Sequence, residues 1–170
     1  MDNSGQRVII GVDGSLGSLQ ALRRGVAEAR DRHVSVWAVL AWTPPGGEGM
    51  NRRAPCPGLI HLWQEEAAER LQTAWNETFG GVPTDLEVHL LVVRGPAGAV
   101  LTQVAERDGD LLVLGSGRRG LLHRVFGHSV ARYCVAQADC CVLTVPPSPF
   151  ERQLQHGLTG KNLSIADFTS

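Results

Sequence analysis

The sequence lacks an excess of positive charge and any apolar run long enough to cross a bilayer. Its 170 residues carry 16 Lys and Arg against 17 Asp and Glu, for a formal net charge of -1. Non-specific nucleic-acid binding needs a broad basic field, so DNA and RNA are poor candidates as partners. The start, MDNSGQRVII, does not have the basic start followed by a long apolar core that a secretory signal has. We therefore expect a cytoplasmic protein that does not bind membranes.

Motifs for several kinds of catalysis and metal binding are also missing. The chain has no G-x-S-x-G nucleophile turn, no G-x4-G-K-[S/T] phosphate loop and no S-G-G-x-D-S signature. His123 and His128 could join Cys140 or Cys141 at a metal, but no C-x2-C pair accompanies them, so no metal site is expected. No catalytic residues are predicted. Slow ATP hydrolysis stays open because it requires only Mg²⁺ and a positioned water.

The four cysteines are not arranged as a disulfide framework. Cys140 and Cys141 are adjacent and cannot easily close on each other, and a reducing compartment would keep every thiol free. Cys134 lies on the apolar face of a predicted helix and is expected in the core. Cys56, in a proline-rich stretch, is the cysteine expected to be exposed.

Short apolar runs alternate with segments of helical period. The predicted strands cover residues 8–12, 34–40, 86–93, 110–115 and 141–145. Apolar residues repeat on four helical faces, at Leu19, Leu22, Val26 and Ala29; at Trp63, Ala67, Leu71, Ala74 and Trp75; at Val100, Leu101, Val104 and Ala105; and at Val130, Cys134 and Ala138. This alternation predicts one doubly wound α/β domain over residues 1–147, with helices on both faces of an open parallel sheet of five strands.

Two segments do not fit that alternation. Residues 43–58 are rich in Pro and Gly, which excludes a continuous helix or a central strand and leaves a mobile lid or a solvated loop. After Pro147, the apolar residues Phe150, Leu154 and Leu158 recur every four positions, as in a short amphipathic helix. We interpret residues 148–170 as a C-terminal extension that is flexible.

Two strand ends carry residues suited to a nucleotide. The first strand ends in GVDGS, which places Asp13 at its tip, Gly14 in the turn and Ser15 at the start of a helix. The fourth strand runs into LGSGRRG, from Leu114. A carboxylate accepts hydrogen bonds from a ribose hydroxyl or a base amine, and backbone N–H groups hold phosphate oxygens. Since ligands of doubly wound sheets bind where the strand order reverses, a nucleotide crevice is predicted here, although Asp13 alone also suits a turn or a cap.

Three stretches of the chain together resemble the universal stress protein family. They are VIIGVDGSLGSLQAL, VVRGPAGAVLTQVAERDGDLLVLGS and HSVARYCVAQADCCVLTV, and the resemblance covers Arg7 to Pro147. It implies the strand order 3-2-1-4-5 and an Asp beside the adenine at the tip of the first strand, here Asp13. Nucleotide-binding members follow the fourth strand with G-x2-G-x9-G-[S/T], which wraps the ribose and phosphates.

This chain matches the glycine motif only in part. Counting from Gly115 places Arg118 and His128 where the second and third glycines belong, and Ser129 at the Ser/Thr position. Side chains at those positions add bulk where a ligand rests. Arg118, Arg119 and Arg124 could instead pair with phosphate oxygens. Both a compensated site and a crevice without nucleotide are therefore open.

The resemblance leads to a specific set of expectations. The implied function is a stress-response protein that binds an adenine nucleotide and acts as a dimeric switch, with ATP, with or without Mg²⁺, as the ligand. The expected nucleotide-binding residues are Val12, Asp13, Ala41, Gly115, Gly117, Arg118, Ser129 and Val130. The alternative is a dimeric interaction module that binds no nucleotide and whose crevice is filled by Arg118 and His128.

The last strand predicts how two copies associate. It is short and apolar and is followed by prolines, and an exposed apolar edge invites pairing with another copy. The family resemblance implies a homodimer in which this strand pairs antiparallel with its copy. Val142 and Val145 would then lie in the interface.

Overall fold

A computed structural model of the chain describes residues 5–53, 56–116 and 129–146. The elements in chain order are β1 (Arg7–Gly11), α1 (Leu16–Arg32), β2 (Ser35–Trp42), α2 (Gly47–Arg53), α3 (Pro57–Phe79), β3 (Val88–Arg94), α4 (Ala97–Val104), β4 (Leu111–Gly115), α5 (Val130–Gln137) and β5 (Cys141–Val145). Each of the five predicted strands is present, with ends that differ from the prediction by no more than two residues.

The strands form one parallel sheet in the order β3-β2-β1-β4-β5. This confirms the predicted doubly wound α/β fold and its strand order. The order reverses between β1 and β4, where Val8 lies beside Leu111 and Ile10 beside Val113. None of the described helices combines the length and apolar character needed to cross a membrane.

Alternate residues of the strands feed two separate cores. One face of the sheet buries Val8 and Ile10 with Leu22 of α1 and Trp75 of α3. The other face buries a second set, which includes Ile9, Leu101 of α4, Leu112 and Cys134 of α5. The period of two along β1 therefore decides which side chains meet α1 and α3 and which meet α4 and α5.

Helix α1 begins and ends with well-defined caps. Ser15, which the sequence placed at the start of a helix, is the N-cap, and its hydroxyl oxygen accepts a hydrogen bond from the Ser18 N–H at 3.3 Å. His33 closes the helix with a left-handed φ of 58°. The predicted apolar face is buried at all four positions, Leu19, Leu22, Val26 and Ala29.

Residues 43–58 contain a helix, α2, where the sequence predicted a mobile lid or a solvated loop. Helix α2 buries none of its seven residues, so hydrophobic packing does not hold it. Instead, Arg94 at the end of β3 donates two hydrogen bonds to Glu48, at 2.9 and 2.7 Å, and its guanidinium lies 5.8 Å from the ring centre of Trp42. The hydrogen-bonded Arg94 holds the pKa of Glu48 below its usual value. A helix of this length is unstable alone, and the pair between Glu48 and Arg94 is a contact that joins it to the end of β3.

The cysteines have the environments that their positions predicted. Cys134 is fully buried, and burial raises the pKa of its thiol to about 11, which keeps it protonated and unreactive at neutral pH. Cys56 is exposed, as expected, and Cys141 is exposed as well. All four thiols are free.

A buried ion pair joins the amino ends of β1 and β4. Arg7 donates to both carboxylate oxygens of Asp110, at 3.0 and 2.6 Å, and also to the Val104 carbonyl at 2.9 Å. Asp110 accepts a further bond from the Arg107 N–H at 3.2 Å. The Arg7 guanidinium also lies 4.8 Å from the ring centre of Trp37. Each charge is therefore well satisfied within the fold.

Removing one member of this pair is expected to destabilise the protein strongly. In Asp110→Ala, the Arg7 guanidinium stays buried without its carboxylate, which costs about 3–5 kcal/mol in buried pairs. Asp108→Ala, at an exposed position two residues earlier, is the matched control and is expected to change little. Urea unfolding measures both. Equal losses of unfolding free energy in the two variants would contradict this role for the pair. The double variant Arg7→Met with Asp110→Leu leaves no unpaired charge of this pair, so it should be less destabilised than Asp110→Ala.

Candidate functional site

A small crevice lies at the carboxyl ends of β1 and β4, where the strand order reverses. Its volume is about 80 Å³. Among the described residues, its lining consists of Gly11, Val12, Asp13, Val39, Ala41, Ala97, Leu101, Leu114, Gly115, Val130 and Ala131. It opens on the side of the sheet that α4 and α5 cover. This is the position at which doubly wound sheets bind ligands.

The structure brings together five of the eight predicted site residues. Those lining the crevice are Val12, Asp13, Ala41, Gly115 and Val130. Ser129 is the N-cap of α5, directly before Val130, and its side chain makes no capping hydrogen bond. Gly117 and Arg118 lie outside the described residues, as does His128.

The tip of β1 is shaped by local hydrogen bonds. The Val12 N–H donates to the Val39 carbonyl at 2.9 Å, which ties the tip of β1 to β2. One carboxylate oxygen of Asp13, Oδ1, accepts from the Ser15 N–H at 2.9 Å. Asp13 is exposed to solvent at the crevice. It is therefore both the turn residue that its type favours and a carboxylate at the rim of the crevice.

Gly115 is required by packing. A Cβ on Gly115 would lie 2.5 Å from the Gly17 carbonyl oxygen and 2.6 Å from its carbon. The start of α1 therefore rests directly on the end of β4. In the next residue, the Ser116 N–H donates to the Val145 carbonyl at 2.8 Å, which continues the pairing with β5. A glycine here lets the backbone of β4 approach α1 closely, independently of any ligand.

Sequence analysis missed six lining residues, Gly11, Val39, Ala97, Leu101, Leu114 and Ala131. Gly11 could have been found, because it lies two residues before Asp13 on the same face of β1. A Cβ on Gly11 would lie 2.6 Å from Leu114 Cδ2 and 3.2 Å from Leu101 Cδ1, so this glycine lets both leucines pack closely against the backbone of β1. Ala97 reaches the crevice only through the placement of α4, which no local pattern predicts.

The charges of the crevice suit a ligand with an apolar part and polar groups at one end. Asp13 is the one ionisable side chain among its described lining residues. Helix α5 starts at Val130 in the lining, and a helix N-terminus favours a negative group. Within the described parts of the chain, no group of three or more His, Cys, Asp or Glu side chains could hold a metal ion.

Comparison with known proteins assigns the family. The family model described as "Universal stress protein family" matches residues 5–146. The chain belongs to the universal stress protein family. This confirms the resemblance found in the three sequence stretches. The residues that line the crevice all lie within the range that the family model matches.

Two curated relatives carry the same family name. Universal stress protein MJ0531 of Methanocaldococcus jannaschii is 25% identical over 147 residues, which cover 85% of this chain and 84% of the relative. Universal stress protein Slr1101 of Synechocystis is 34% identical over 86 residues, which cover 49% of this chain and 79% of that protein.

Solved structures show the same architecture. A universal stress protein in complex with cAMP is 25% identical, with a TM-score of 0.51 and coverage of 84% of this chain and 98% of that chain. The hypothetical protein MJ0577 reaches a TM-score of 0.65 at 18% identity, over 84% of this chain and 96% of that one. UspA from Lactobacillus plantarum has a TM-score of 0.60 at 18% identity, and the match covers 82% of this chain and 97% of that one. At 18% identity the last two demonstrate the fold alone.

Substituting Gly115 tests the packing at the edge of the crevice. In Gly115→Ala, the new methyl group would overlap the Gly17 backbone, which cannot rotate away as a side chain can. We expect a loss of about 1–3 kcal/mol in the free energy of unfolding. Gly58→Ala, in the first turn of α3 with no atom within 4 Å of the added carbon, should be close to neutral. Chemical denaturation compares the two, and similar stabilities would show that β4 and α1 can separate at no cost.

Proposed function

We propose that the protein binds an adenine nucleotide in the crevice between β1 and β4. The observation that carries the proposal is the convergence of Asp13, Ala41, Gly115 and Val130 at the point where the strand order reverses. A 25% identical family member has been solved in complex with cAMP, which supports the adenine nucleotide class. ATP is the ligand that the glycine motif implies.

Each part of the crevice suits one part of such a ligand. The small apolar side chains of Ala41 and Ala97, with Leu101, provide a surface for a flat base. Asp13 would accept a hydrogen bond from a ribose hydroxyl or from the base amine. The start of α5 at Ser129 and Val130 would face the phosphate, to which Gly117 and Arg118 would add a backbone N–H and a guanidinium.

The proposed mechanism is a binding switch in a stress-response protein. Helix α5 begins at the crevice with Val130 and ends at Gln137, and β5 begins at Cys141 after a short connection. A ligand that contacts the start of α5 would therefore bias the position of the edge strand. Turnover of the nucleotide is not required for this response.

Titration calorimetry of nucleotide-stripped protein tests the ligand class. We expect saturable micromolar binding of cAMP, AMP or Mg-ATP, and Asp13→Ala should weaken it by about tenfold because one hydrogen-bond acceptor is lost. Asp31→Ala, at the exposed end of α1, is the matched control.

Two results would count against nucleotide binding at this crevice. Folded protein that releases no heat with any of the three nucleotides at millimolar concentration would leave the interaction module as the function. Binding that Asp13→Ala leaves unchanged would remove Asp13 from the site.

Improved ATP affinity in Arg118→Gly with His128→Gly would show that these side chains hinder the phosphates.

The edge strand β5 favours a second candidate function, a dimeric interaction module. In the described part of the chain, β5 pairs only with β4. Its residues Val142, Leu143 and Val145 are only partly buried although they are apolar. We infer a homodimer in which β5 pairs antiparallel with the β5 strand of a second copy, with Val142 and Val145 in the interface.

Light scattering on eluting protein measures this association. We expect a dimer at micromolar concentration, and monomers for Val142→Lys and for the exposed Thr144→Lys, because the two-fold axis brings like charges together. Leu90→Lys, on the opposite edge strand β3, should stay dimeric. Circular dichroism checks that each variant is folded. A monomeric parent protein would overturn the dimer, and a mass or dissociation constant that ATP leaves unchanged would overturn the switch.

A further inference from the structure

We propose that Arg70 of α3 is a positioning residue for the crevice, because its methylene stem holds the turn that presents Asp13. The role in ligand binding rests on the proposed function, whereas the contact with the turn is independent of it. Arg70 does not line the crevice. It acts through Gly14, the residue next to Asp13.

The turn from Asp13 to Leu16 lies at the surface of the protein. All four of its residues are exposed, and burial resumes only at Ser18 and Leu19. A local hydrogen bond within the turn joins the Ser15 N–H to Asp13 Oδ1. Gly14 has a φ of 80°, a conformation that residues with a Cβ rarely adopt. A side chain that packs against Gly14 therefore contacts the turn directly beside Asp13.

Arg70 supplies a contact to this turn from outside α1. A Cβ on Gly14 would lie 3.2 Å from Cγ and 3.3 Å from Cδ of Arg70, so the stem of the arginine covers the Gly14 backbone. The Arg70 guanidinium donates to Glu66 at 3.1 Å, one helical turn earlier on α3. This bond holds the charged end along the helix and leaves the methylene groups against the turn.

The contact is made from the side of the sheet that faces away from the crevice. Leu71 and Trp75, which follow Arg70 on α3, pack in the core that contains Val12. The helices that line the crevice are α4 and α5, through Ala97, Leu101, Val130 and Ala131, and they cover the other face of the sheet. Arg70 therefore supports the turn from behind.

Two substitutions separate the stem of Arg70 from its charge. Arg70→Ala removes both, whereas Arg70→Met keeps an unbranched apolar stem and removes the guanidinium. Arg24→Ala is the matched control, because it breaks a comparable ion pair with Glu28 at i,i+4 on α1. The first readout is amide exchange of Gly14 and Ser15 by NMR in ligand-free protein. The second is the dissociation constant for cAMP.

The expected pattern is specific. Arg70→Ala should speed exchange at Gly14 and Ser15 and weaken cAMP binding by roughly three- to tenfold, as for the loss or misplacement of one hydrogen bond. Arg70→Met should resemble the parent protein in both readouts. Arg24→Ala should change neither. Melting temperatures of all variants show that the global fold is retained.

Other outcomes would overturn the proposal. Unchanged exchange at Gly14 and Ser15 in Arg70→Ala would show that the stem does not hold the turn. If Arg70→Met bound cAMP as weakly as Arg70→Ala while the turn kept its protection, the guanidinium would act on the ligand directly. If the parent protein bound no nucleotide, the proposed function would fail, and the exchange comparison would still decide whether Arg70 holds the turn.

Discussion

The ion pair between Arg7 and Asp110 is the interaction on which the rest of the structure depends. It joins the amino ends of β1 and β4, the two strands between which the sheet order reverses. The register that starts with Val8 beside Leu111 carries through to the carboxyl ends, where both strands reach the crevice. Because a charge buried without its partner is costly, alternative registers that separate the pair are strongly disfavoured. The ion pair at the amino ends of β1 and β4 thus favours the register with which their carboxyl ends meet at the crevice.

Two glycines let the elements around the crevice pack closely. Gly11 lets Leu101 and Leu114 lie against the backbone of β1, and Gly115 lets the end of β4 lie on the backbone of α1. Alternation along β1 then separates the two faces of the sheet, since Val8 and Ile10 pack in the core that includes α3, whereas Ile9 packs in the core that includes α4 and α5. The proposed support through Arg70 and the proposed binding of a nucleotide therefore come from opposite faces of the sheet.

The topology also explains how a binding site and an association surface could be coupled. Helix α5 starts at the crevice and leads directly into the edge strand β5. The unit of α5 and β5 therefore connects the proposed nucleotide site with the proposed dimer interface over a short distance. A ligand shifts such an arrangement only by the difference in its affinity for two states, so the relevant quantity is the change in dimerisation that the nucleotide causes.

The sequence by itself determined the fold class, all five strands, the inward faces of the helices and the family, because apolar periodicity and strand-end motifs are local and repeat along the chain. It also pointed to Asp13, Ala41 and Val130, which the structure brings together in the lining of the crevice. It did not predict α2, since that helix buries none of its residues and its ion pair is with the distant Arg94. Only the tertiary structure decided that Ala97, Leu101 and Ala131 line the crevice, that Gly115 is needed for packing against α1, and that the stem of Arg70 lies beside Gly14. These contacts join residues far apart in the chain, and they exist only once the strand order and register have been set by burial.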